Sequence, residues 1–488
     1  MSDKQSNYYQ LFGLARDAST REIEGAFVQL RARYSDAGKD LDGSDFAVIL
    51  HAYEVLSNPQ RRGLYDSLLA ETSEPPLTIN IQSSSRQIPI LDTPQLVYLL
   101  VELRSPEMAK KPLLPLNLCL VIDRSTSMRG ERLQQVKAAL QMLLNKLSPG
   151  DVLSLVTFSD RAEVVLPALH VGEQQEPMAK IRGIQAAGGT EIYQGLAAGI
   201  QQMRQVALSS YNNQLILLTD GHTYGDAAQC LQFAARAVEE GVTINAFGIG
   251  SDWDDQFLDA LVAPSGGSAE YIDSPQTIVS VLETRLQGLG KAFARYARLQ
   301  EDWPRRIELL DAFRLTPYAQ PLLIGQGEIK LGDIEGRAPL TFLLEFSVEP
   351  HPIPTRIRIP LPLVAEIPGE DKQSFEQHVQ LTILNDTIPA EPPADVIRAV
   401  RLLTLYRLNE KAWQEIESGR VDKAATRMHH LSTRFLEAGE SRLAQQAGIE
   451  AQRLLVTGKL SAAGRKQLKY GTRTLMGKTI QLEWDDSL

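Results

Sequence analysis

The sequence predicts a multidomain protein that combines an α/β domain, a β-sandwich and two helical regions. Its 488 residues suffice for three or four domains at about 100–200 residues each. Apolar strands alternate with helices in the middle third of the chain, which predicts a doubly wound, Rossmann-like parallel sheet with helices on both faces. Strand-rich sequence flanks this part on both sides, and both end regions show helical periodicity.

Composition narrows the class of function. Hydrophobic residues make up 43% and charged residues 23% of the chain, as in an ordinary globular protein. The net charge of −10 disfavours nonspecific binding of nucleic acid or an anionic membrane. The two cysteines, Cys119 and Cys230, exclude a disulfide framework and are expected to be small buried hydrophobes. Without a leader-like start or an apolar run of about 18–20 residues, we expect a soluble cytoplasmic protein with no membrane contact.

The first region, residues 1–71, is predicted to be helical. A cap at Ser19 or Thr20 begins one helix, whose apolar residues between Ile23 and Tyr34 recur at helical spacing. A second helix carries apolar residues from Phe46 to Leu56 and is predicted to end at 57–59, a Ser-Asn-Pro sequence.

The strand-rich segments before and after the α/β domain are predicted to form a single β-sandwich. Residues 72–112 supply only two or three strands, too few to bury a face alone. We therefore predict that 72–112 and 294–390 form one sandwich, into which the α/β domain, 113–293, is inserted. Residues 391–488 form a helical region that includes a helical hairpin around Gly419.

Polar residues follow the buried strands of the α/β domain. Ligands in open α/β sheets bind beyond the carboxyl ends of the strands. Three segments at that edge contribute two carboxylates and three hydroxyls, which are Asp123, Ser125, Ser127, Thr190 and Asp220. This all-oxygen set suits Mg²⁺, Ca²⁺ or Mn²⁺ rather than zinc or copper. Because Mg²⁺ takes about six oxygens, these groups leave a coordination position open.

These segments resemble a known family. Asp-x-Ser-x-Ser at 123–127, Gly-Gly-Thr-Glu at 188–191 and Leu-Thr-Asp-Gly at 218–221 are similar to the metal-ion-dependent adhesion site of von Willebrand factor type A domains. The resemblance covers residues 113–293. It implies an α/β domain that binds a divalent ion and, through it, a protein partner.

The resemblance also implies a role for each residue. Ser125, Ser127 and Thr190 would bind the metal directly, and Asp123 and Asp220 would support it, largely through water. An Asp or Glu of a partner protein would complete the coordination. Family members of this kind often work beside ATPases, so an ATPase system is a further partner that the resemblance implies.

The N-terminal region resembles a J domain. Residues 7–14, 17–23, 52–62 and 65–66 match its pattern, so the resemblance spans 7–67. J domains stimulate Hsp70-type ATPases through a His-Pro-Asp element after the second helix. Here residues 34–39 read Tyr-Ser-Asp-Ala-Gly-Lys, and the element is absent. The resemblance therefore implies a degenerate J domain that serves packing or protein binding, with an Hsp70 co-chaperone as the alternative function.

Other features of the sequence leave alternatives open. Asp226 could contribute to the rim of the metal site, but a cap for the helix that starts at Ala227 is the favoured interpretation. A phosphatase of the haloacid-dehalogenase type would need a second Asp where Ser125 stands, so its general acid is missing. Residues 459–478 hold six Lys or Arg and no acid. A solvated helix face is the default interpretation there, and docking of an acidic partner or nucleic acid is the alternative.

Together these observations predict a non-enzymatic interaction protein. It would bind a partner that presents Asp or Glu to a divalent ion held by the α/β domain. No catalytic constellation can be assembled from the sequence.

Overall fold

The computed structural model describes residues 8–14, 18–36, 44–72, 77–106, 114–173, 176–223, 225–289, 292–335, 338–367, 372–385 and 390–479. The chain divides into two compact units, Met1–Pro76 and Leu77–Leu488. None of the helices in the described ranges has the length and apolar character needed to cross a membrane.

Within its described residues the first unit contains four helices, α1 (Tyr8–Phe12), α2 (Thr20–Asp36), α3 (Ser44–Leu56) and α4 (Pro59–Thr72). Ser19 and Glu22 form a capping box at the start of α2: Ser19 Oγ accepts from the Glu22 amide at 3.3 Å, and Glu22 Oε2 accepts from the Ser19 amide at 2.7 Å.

The prediction that the second helix ends at residues 57–59 was confirmed, because α3 ends at Leu56. A further helix, α4, which was not predicted, begins directly afterwards. Pro59 is the first residue of α4, where its missing N–H costs nothing, and Asn58 Oδ1 accepts from the amides of Gln60 and Arg61. Residues 37–43, which include part of the segment where the His-Pro-Asp element was sought, lie outside the described ranges.

The second unit contains sixteen strands and ten further α-helices in the described ranges, besides five short 3₁₀ helices. The strands are β1 (Thr78–Ser83), β2 (Gln87–Pro89), β3 (Gln95–Arg104), β4 (Leu116–Asp123), β5 (Val152–Phe158), β6 (Ala162–His170), β7 (Asn212–Thr219), β8 (Val242–Ile249), β9 (Ala269–Ile272), β10 (Ala292–Gln300), β11 (Ile307–Thr316), β12 (Gln320–Pro321), β13 (Glu328–Glu335), β14 (Leu340–Val348), β15 (Thr355–Glu366) and β16 (Lys372–Leu384). The helices are α5 (Glu131–Leu144), α6 (Pro177–Gly183), α7 (Ile192–Met203), α8 (Ala227–Glu239), α9 (Asp255–Val262), α10 (Ile278–Leu289), α11 (Ala394–Glu417), α12 (Val421–Glu437), α13 (Ser441–Thr457) and α14 (Ala462–Thr479).

The α/β domain is built on a six-stranded sheet of order β6-β5-β4-β7-β8-β9. Strands β4, β5, β7 and β8 are buried along their whole length, as expected for a parallel sheet covered on both faces. The sheet is not wholly parallel, because β6 returns from β5 as an antiparallel hairpin. The connection at 159–161 is too short for a parallel crossover. Strand β9 and helix α6 were not predicted.

The β-sandwich combines strands from both sides of the α/β domain. One sheet has the order β1-β3-β14-β11-β12 and the other β13-β10-β15-β16-β2, so each sheet contains strands that precede and strands that follow the insertion. Side chains of the two sheets share one apolar core, which includes Val97, Leu99 and Phe342 from the first sheet and Ile359 and Leu381 from the second. The sandwich with an inserted doubly wound domain is therefore the observed architecture.

The C-terminal helices cover the first sheet of the sandwich. Leu100, Phe313 and Leu343 share an apolar core with helix residues such as Leu403 and Met428. The hairpin predicted around Gly419 is formed by α11 and α12, and Gly419 adopts the left-handed φ of 75° that a helix end often requires.

The expectation of a solvated basic face at 459–478 was wrong in its central part. Lys466, Lys469 and Arg473 on α14 are each only 4% exposed. Lys469 Nζ lies 2.6 Å from Asp255 Oδ2 and 2.8 Å from Asp259 Oδ2, and Arg473 holds both oxygens of Asp259 at 2.8 Å. We call this group of Asp255, Asp259, Lys469 and Arg473 the α9–α14 ionic cluster. It joins the α/β domain to the C-terminal helices.

Candidate metal centre

The carboxyl end of β4 places Asp123 at the centre of the sheet edge. Its side chain accepts two short hydrogen bonds, from the Ser125 amide to Oδ1 and from Thr219 Oγ1 to Oδ2, both at 2.7 Å. Burial raises the pKa of the Asp123 carboxyl, and the bonds from Ser125 and Thr219 only partly oppose this rise. Asp123 is thus held rigidly between the turn after β4 and the end of β7.

Two hydroxyls and a second carboxylate continue from this turn. Ser125 Oγ lies 2.9 Å from Ser127 Oγ, and Ser127 Oγ donates to Asp220 Oδ1 at 2.6 Å. Asp220 directly follows β7, which is parallel to β4 and adjacent to it. Four of the five predicted residues are therefore linked by a continuous set of hydrogen bonds.

The fifth residue, Thr190, comes from the turn before α7. Gly188 adopts a φ of 82°, and its carbonyl accepts from the amide of Thr126 at 3.0 Å, which ties this turn to the one after β4. Thr190 is 5% exposed, and its Oγ1 lies 3.4 Å from the position that a Cβ atom would take on Gly221. The Thr190 hydroxyl therefore lies beside the Asp220–Gly221 turn.

Arg132 was not predicted as a site residue. Its Nη1 donates to Asp220 Oδ2 at 2.5 Å, while the Asp220 side chain is fully buried and that of Arg132 is 30% exposed. The residue lies in the first turn of α5, close in sequence to the Asp-x-Ser-x-Ser segment. Its closeness to that segment is the one feature of the sequence that could have indicated Arg132 as a site residue, and Arg129 shares this feature.

The interpretation of Asp226 as a cap of its own helix was wrong in detail. Asp226 precedes α8, but its side chain caps no amide of that helix. Instead Oδ2 accepts from the Tyr193 amide at 2.8 Å, in the first turn of α7, and Oδ1 accepts from Thr223 Oγ1. Asp226 therefore connects the loop after β7 to the helix that follows Thr190, and both of its oxygens have protein partners.

The donor set fits a hard divalent cation. It consists of two carboxylates and three hydroxyls, with no imidazole or thiolate. The described ranges contain no group of three or more His, Cys, Asp or Glu side chains arranged to hold a metal, and the candidate centre itself brings together only two carboxylates. The assignment of Asp123, Ser125, Ser127, Thr190 and Asp220 as metal ligands stays a prediction that rests on this geometry.

Three family models match separate parts of the chain. The von Willebrand factor type A domain matches residues 117–282, the DnaJ domain matches 7–66, and the Sll0103-like, C-terminal alpha-helical domain matches 394–478. All five predicted ligands lie in the first of these ranges. Domains of the von Willebrand type A family often bind a divalent metal.

Several curated proteins are similar in sequence. The uncharacterized protein sll0103 of Synechocystis is 29% identical over 331 residues, which are 64% of this chain and 77% of the relative. YfbK of Escherichia coli, also uncharacterized, is 24% identical over 48% of this chain and 42% of its own. Human inter-alpha-trypsin inhibitor heavy chain H1 is 32% identical over 32% of this chain, which spans only 18% of that protein.

Two solved structures share the fold over most of the chain. A von Willebrand factor type A protein from Catenulispora acidiphila aligns with a TM-score of 0.64 and 16% identity, over 82% of this chain and 96% of that one. The ArnB paralog VWA2 from Sulfolobus acidocaldarius aligns with a TM-score of 0.53 and 15% identity, over 83% and 99%. At these identities the alignments support the architecture alone.

Proposed function

We propose that this chain, which carries a von Willebrand factor type A domain and a DnaJ domain, is a non-enzymatic adaptor that binds a protein partner through a divalent ion. Asp123, Ser125, Ser127, Thr190 and Asp220 would hold Mg²⁺, or alternatively Ca²⁺ or Mn²⁺, and an Asp or Glu of the partner would complete its coordination. The observation that carries the proposal is the hydrogen-bonded set of oxygens at the carboxyl edge of the sheet, which links Asp123 to Asp220 through the two serines.

The protein side of this site is preorganised. Thr219 and the Ser125 amide hold both oxygens of Asp123, so its carboxylate does not have to be reoriented when a ligand arrives. Ser127 is exposed and Ser125 is 2% exposed, so the hydroxyl pair reaches from the buried end of β4 to the surface. When bound, the ion would supply a compact positive charge that favours an anionic oxygen over neutral water. This supports a partner with a carboxylate rather than a neutral side chain.

The absence of an enzymatic role is part of the proposal. A serine at position 125 takes the place of the acid that a phosphatase of the haloacid-dehalogenase type would use, and its Oγ is engaged with Ser127. The two acids of the site already accept hydrogen bonds from the protein. Asp123 accepts from Thr219, and Asp220 accepts from Ser127 and from Arg132. An ATPase system is one kind of partner that this adaptor role would suit.

Partner binding should depend on the metal and on Thr190. The experiment is a pull-down with the full chain in Mg²⁺, followed by affinity measurement on the purified partner. We expect EDTA, Thr190→Ala, or removal of the partner's carboxylate to weaken binding by well over tenfold, because truncating one member of a close interfacial charge pair costs about 2–5 kcal/mol.

Thr284→Ala is the matched control, since Thr284 is an exposed threonine on α10 whose hydroxyl donates to the Ser280 carbonyl of its own helix. It should bind like the wild type. A partner whose affinity is indifferent to EDTA and to Thr190→Ala would show that binding occurs at another surface, on the β-sandwich or the C-terminal helices.

A role as an Hsp70 co-chaperone is the second candidate, and the DnaJ match over residues 7–66 favours it. The absent His-Pro-Asp element argues against stimulation of the ATPase. We expect that neither the full chain nor residues 1–71 stimulates an Hsp70-type ATPase, as measured by steady-state ATP hydrolysis beside a J protein that has the tripeptide. Stimulation comparable to that positive control would establish the co-chaperone role instead.

A further inference from the structure

The Arg132 guanidinium forms an ion pair with the Asp220 carboxylate. Its Nη1 lies 2.5 Å from Asp220 Oδ2 and 3.4 Å from the Ser127 carbonyl oxygen. The Asp220 side chain has no exposed surface, so its charge depends on the protein for compensation. Among the described residues, the ion pair to Asp220 comes from Arg132 alone.

Gly250 lies against the other terminal nitrogen of the guanidinium, Nη2. A Cβ atom on Gly250, which has a φ of 72°, would lie only 2.9 Å from Arg132 Nη2. The missing side chain at Gly250 thus leaves the space in which the guanidinium packs beside the end of β8. The guanidinium thus lies between Asp220 and Gly250. Its side chain nevertheless remains 30% exposed and can reach water by rotating outward.

Two cations cannot share Asp220 without mutual repulsion. A unit charge and a divalent charge a few ångströms apart repel strongly in a partly buried site, where screening by salt is weak. Arg132 must therefore either leave Asp220 or remain at an energetic cost when the site is loaded. Either outcome lowers the affinity of the site for the ion.

We infer that Arg132 is a built-in counter-cation of the metal centre, which neutralises Asp220 in the ion-free protein and competes with the divalent ion for its carboxylate. The inference rests on the proposed function, because it assumes that the ion binds at this site. It adds that the affinity of the site is set by an intramolecular competitor and not by the oxygen ligands alone.

The test is calorimetric titration of MgCl₂ into the full chain at low ionic strength. Arg132→Gln should bind Mg²⁺ about tenfold more tightly than the wild type, in keeping with the strength of one charge-assisted hydrogen bond. Arg129→Gln is the matched control, because Arg129 is exposed in the same segment, and its side chain forms no ion pair within the described residues. It removes the same charge and should shift the affinity only slightly.

Thermal unfolding provides a second measurement. Without ion, Arg132→Gln should unfold at a lower temperature than the wild type, because a buried carboxylate loses its counter-charge, and added Mg²⁺ should stabilise it more than the wild type. Arg132→Lys keeps the charge and should stay closer to the wild type in both measurements, which provides a test even if Arg132→Gln folds poorly.

Each outcome distinguishes the two proposals. If the wild type binds Mg²⁺ and Arg132→Gln binds no more tightly than Arg129→Gln, competition by Arg132 is refuted while the metal site stands. If Arg132→Gln binds and the wild type does not, the competition is stronger than inferred and both proposals are supported. If no variant binds Mg²⁺, the metal site itself is refuted, and the competition with it.

Discussion

Asp259→Ala should lower the free energy of unfolding of the second unit by about 3 kcal/mol, which is typical of breaking a buried ion pair by removing one partner. Lys469 and Arg473, whose side chains are only 5% and 4% exposed, share the Asp259 carboxylate. The substitution removes this carboxylate and leaves both cations buried. Burial alone would raise the pKa of Asp259, but Arg473 and Lys469 outweigh it and lower that pKa below 3.8. The attraction therefore exceeds the cost of burying the carboxylate.

Urea unfolding followed by tryptophan fluorescence measures this effect, since two tryptophans lie beside the α9–α14 ionic cluster. Trp253 stacks under Lys466 at 4.9 Å, and Trp413 lies under Arg465 at 4.9 Å. Asp252→Ala is the control, because Asp252 is exposed in the segment before α9 and should change stability by no more than about 0.5 kcal/mol. Equal effects of the two substitutions would show that the cluster does not hold the domains together.

The pH dependence of the same variant follows from the lowered pKa. A carboxyl whose pKa is lower in the folded state than in the unfolded state stabilises the fold above its unfolded pKa of about 3.9. That stabilisation is lost as the pH falls through the lower, folded pKa. The difference between the wild type and Asp259→Ala should therefore be constant from neutral pH down to about pH 5 and should diminish only in more acidic solution.

Asp220→Ala should abolish binding of Mg²⁺ at the candidate centre, a loss of more than about a hundredfold, or about 3 kcal/mol. The substitution removes one of the two carboxylates and also the acceptor of the Ser127 hydroxyl. The fold should be kept, because Asp220 lies just beyond β7 and the released Arg132 is already 30% exposed and can be hydrated. Calorimetry checks the affinity, and the far-UV circular dichroism spectrum checks the fold.

Asp252→Ala again provides the control for a lost acid outside the site, and it should bind Mg²⁺ like the wild type. An Asp220→Ala protein that keeps the wild-type affinity would place the ion elsewhere on the chain. Such a result would leave Asp123 and Asp220 as purely structural groups that brace the turn after β4.

The sequence by itself determined the domain architecture and the position of the candidate site. Buried strands alternating with helices predict a parallel sheet, and the carboxyl ends of its strands necessarily meet at one edge. Local position was therefore enough to bring Asp123, Ser125, Ser127 and Asp220 together, and the prediction of the von Willebrand type A and J-like domains was confirmed by the family models.

Only the tertiary structure decided which charged groups are paired. Lys469 bonds the carboxylate of Asp255, which is 214 residues away in the sequence. The sequence of a basic segment does not show whether its side chains face water or such a partner. The sequence likewise does not distinguish Arg132 from Arg129, yet in the structure it is Arg132 that bonds Asp220, 88 residues away. Local periodicity specifies the face of a helix but not what packs against it, so ion pairs between distant elements became visible only once the domains were assembled.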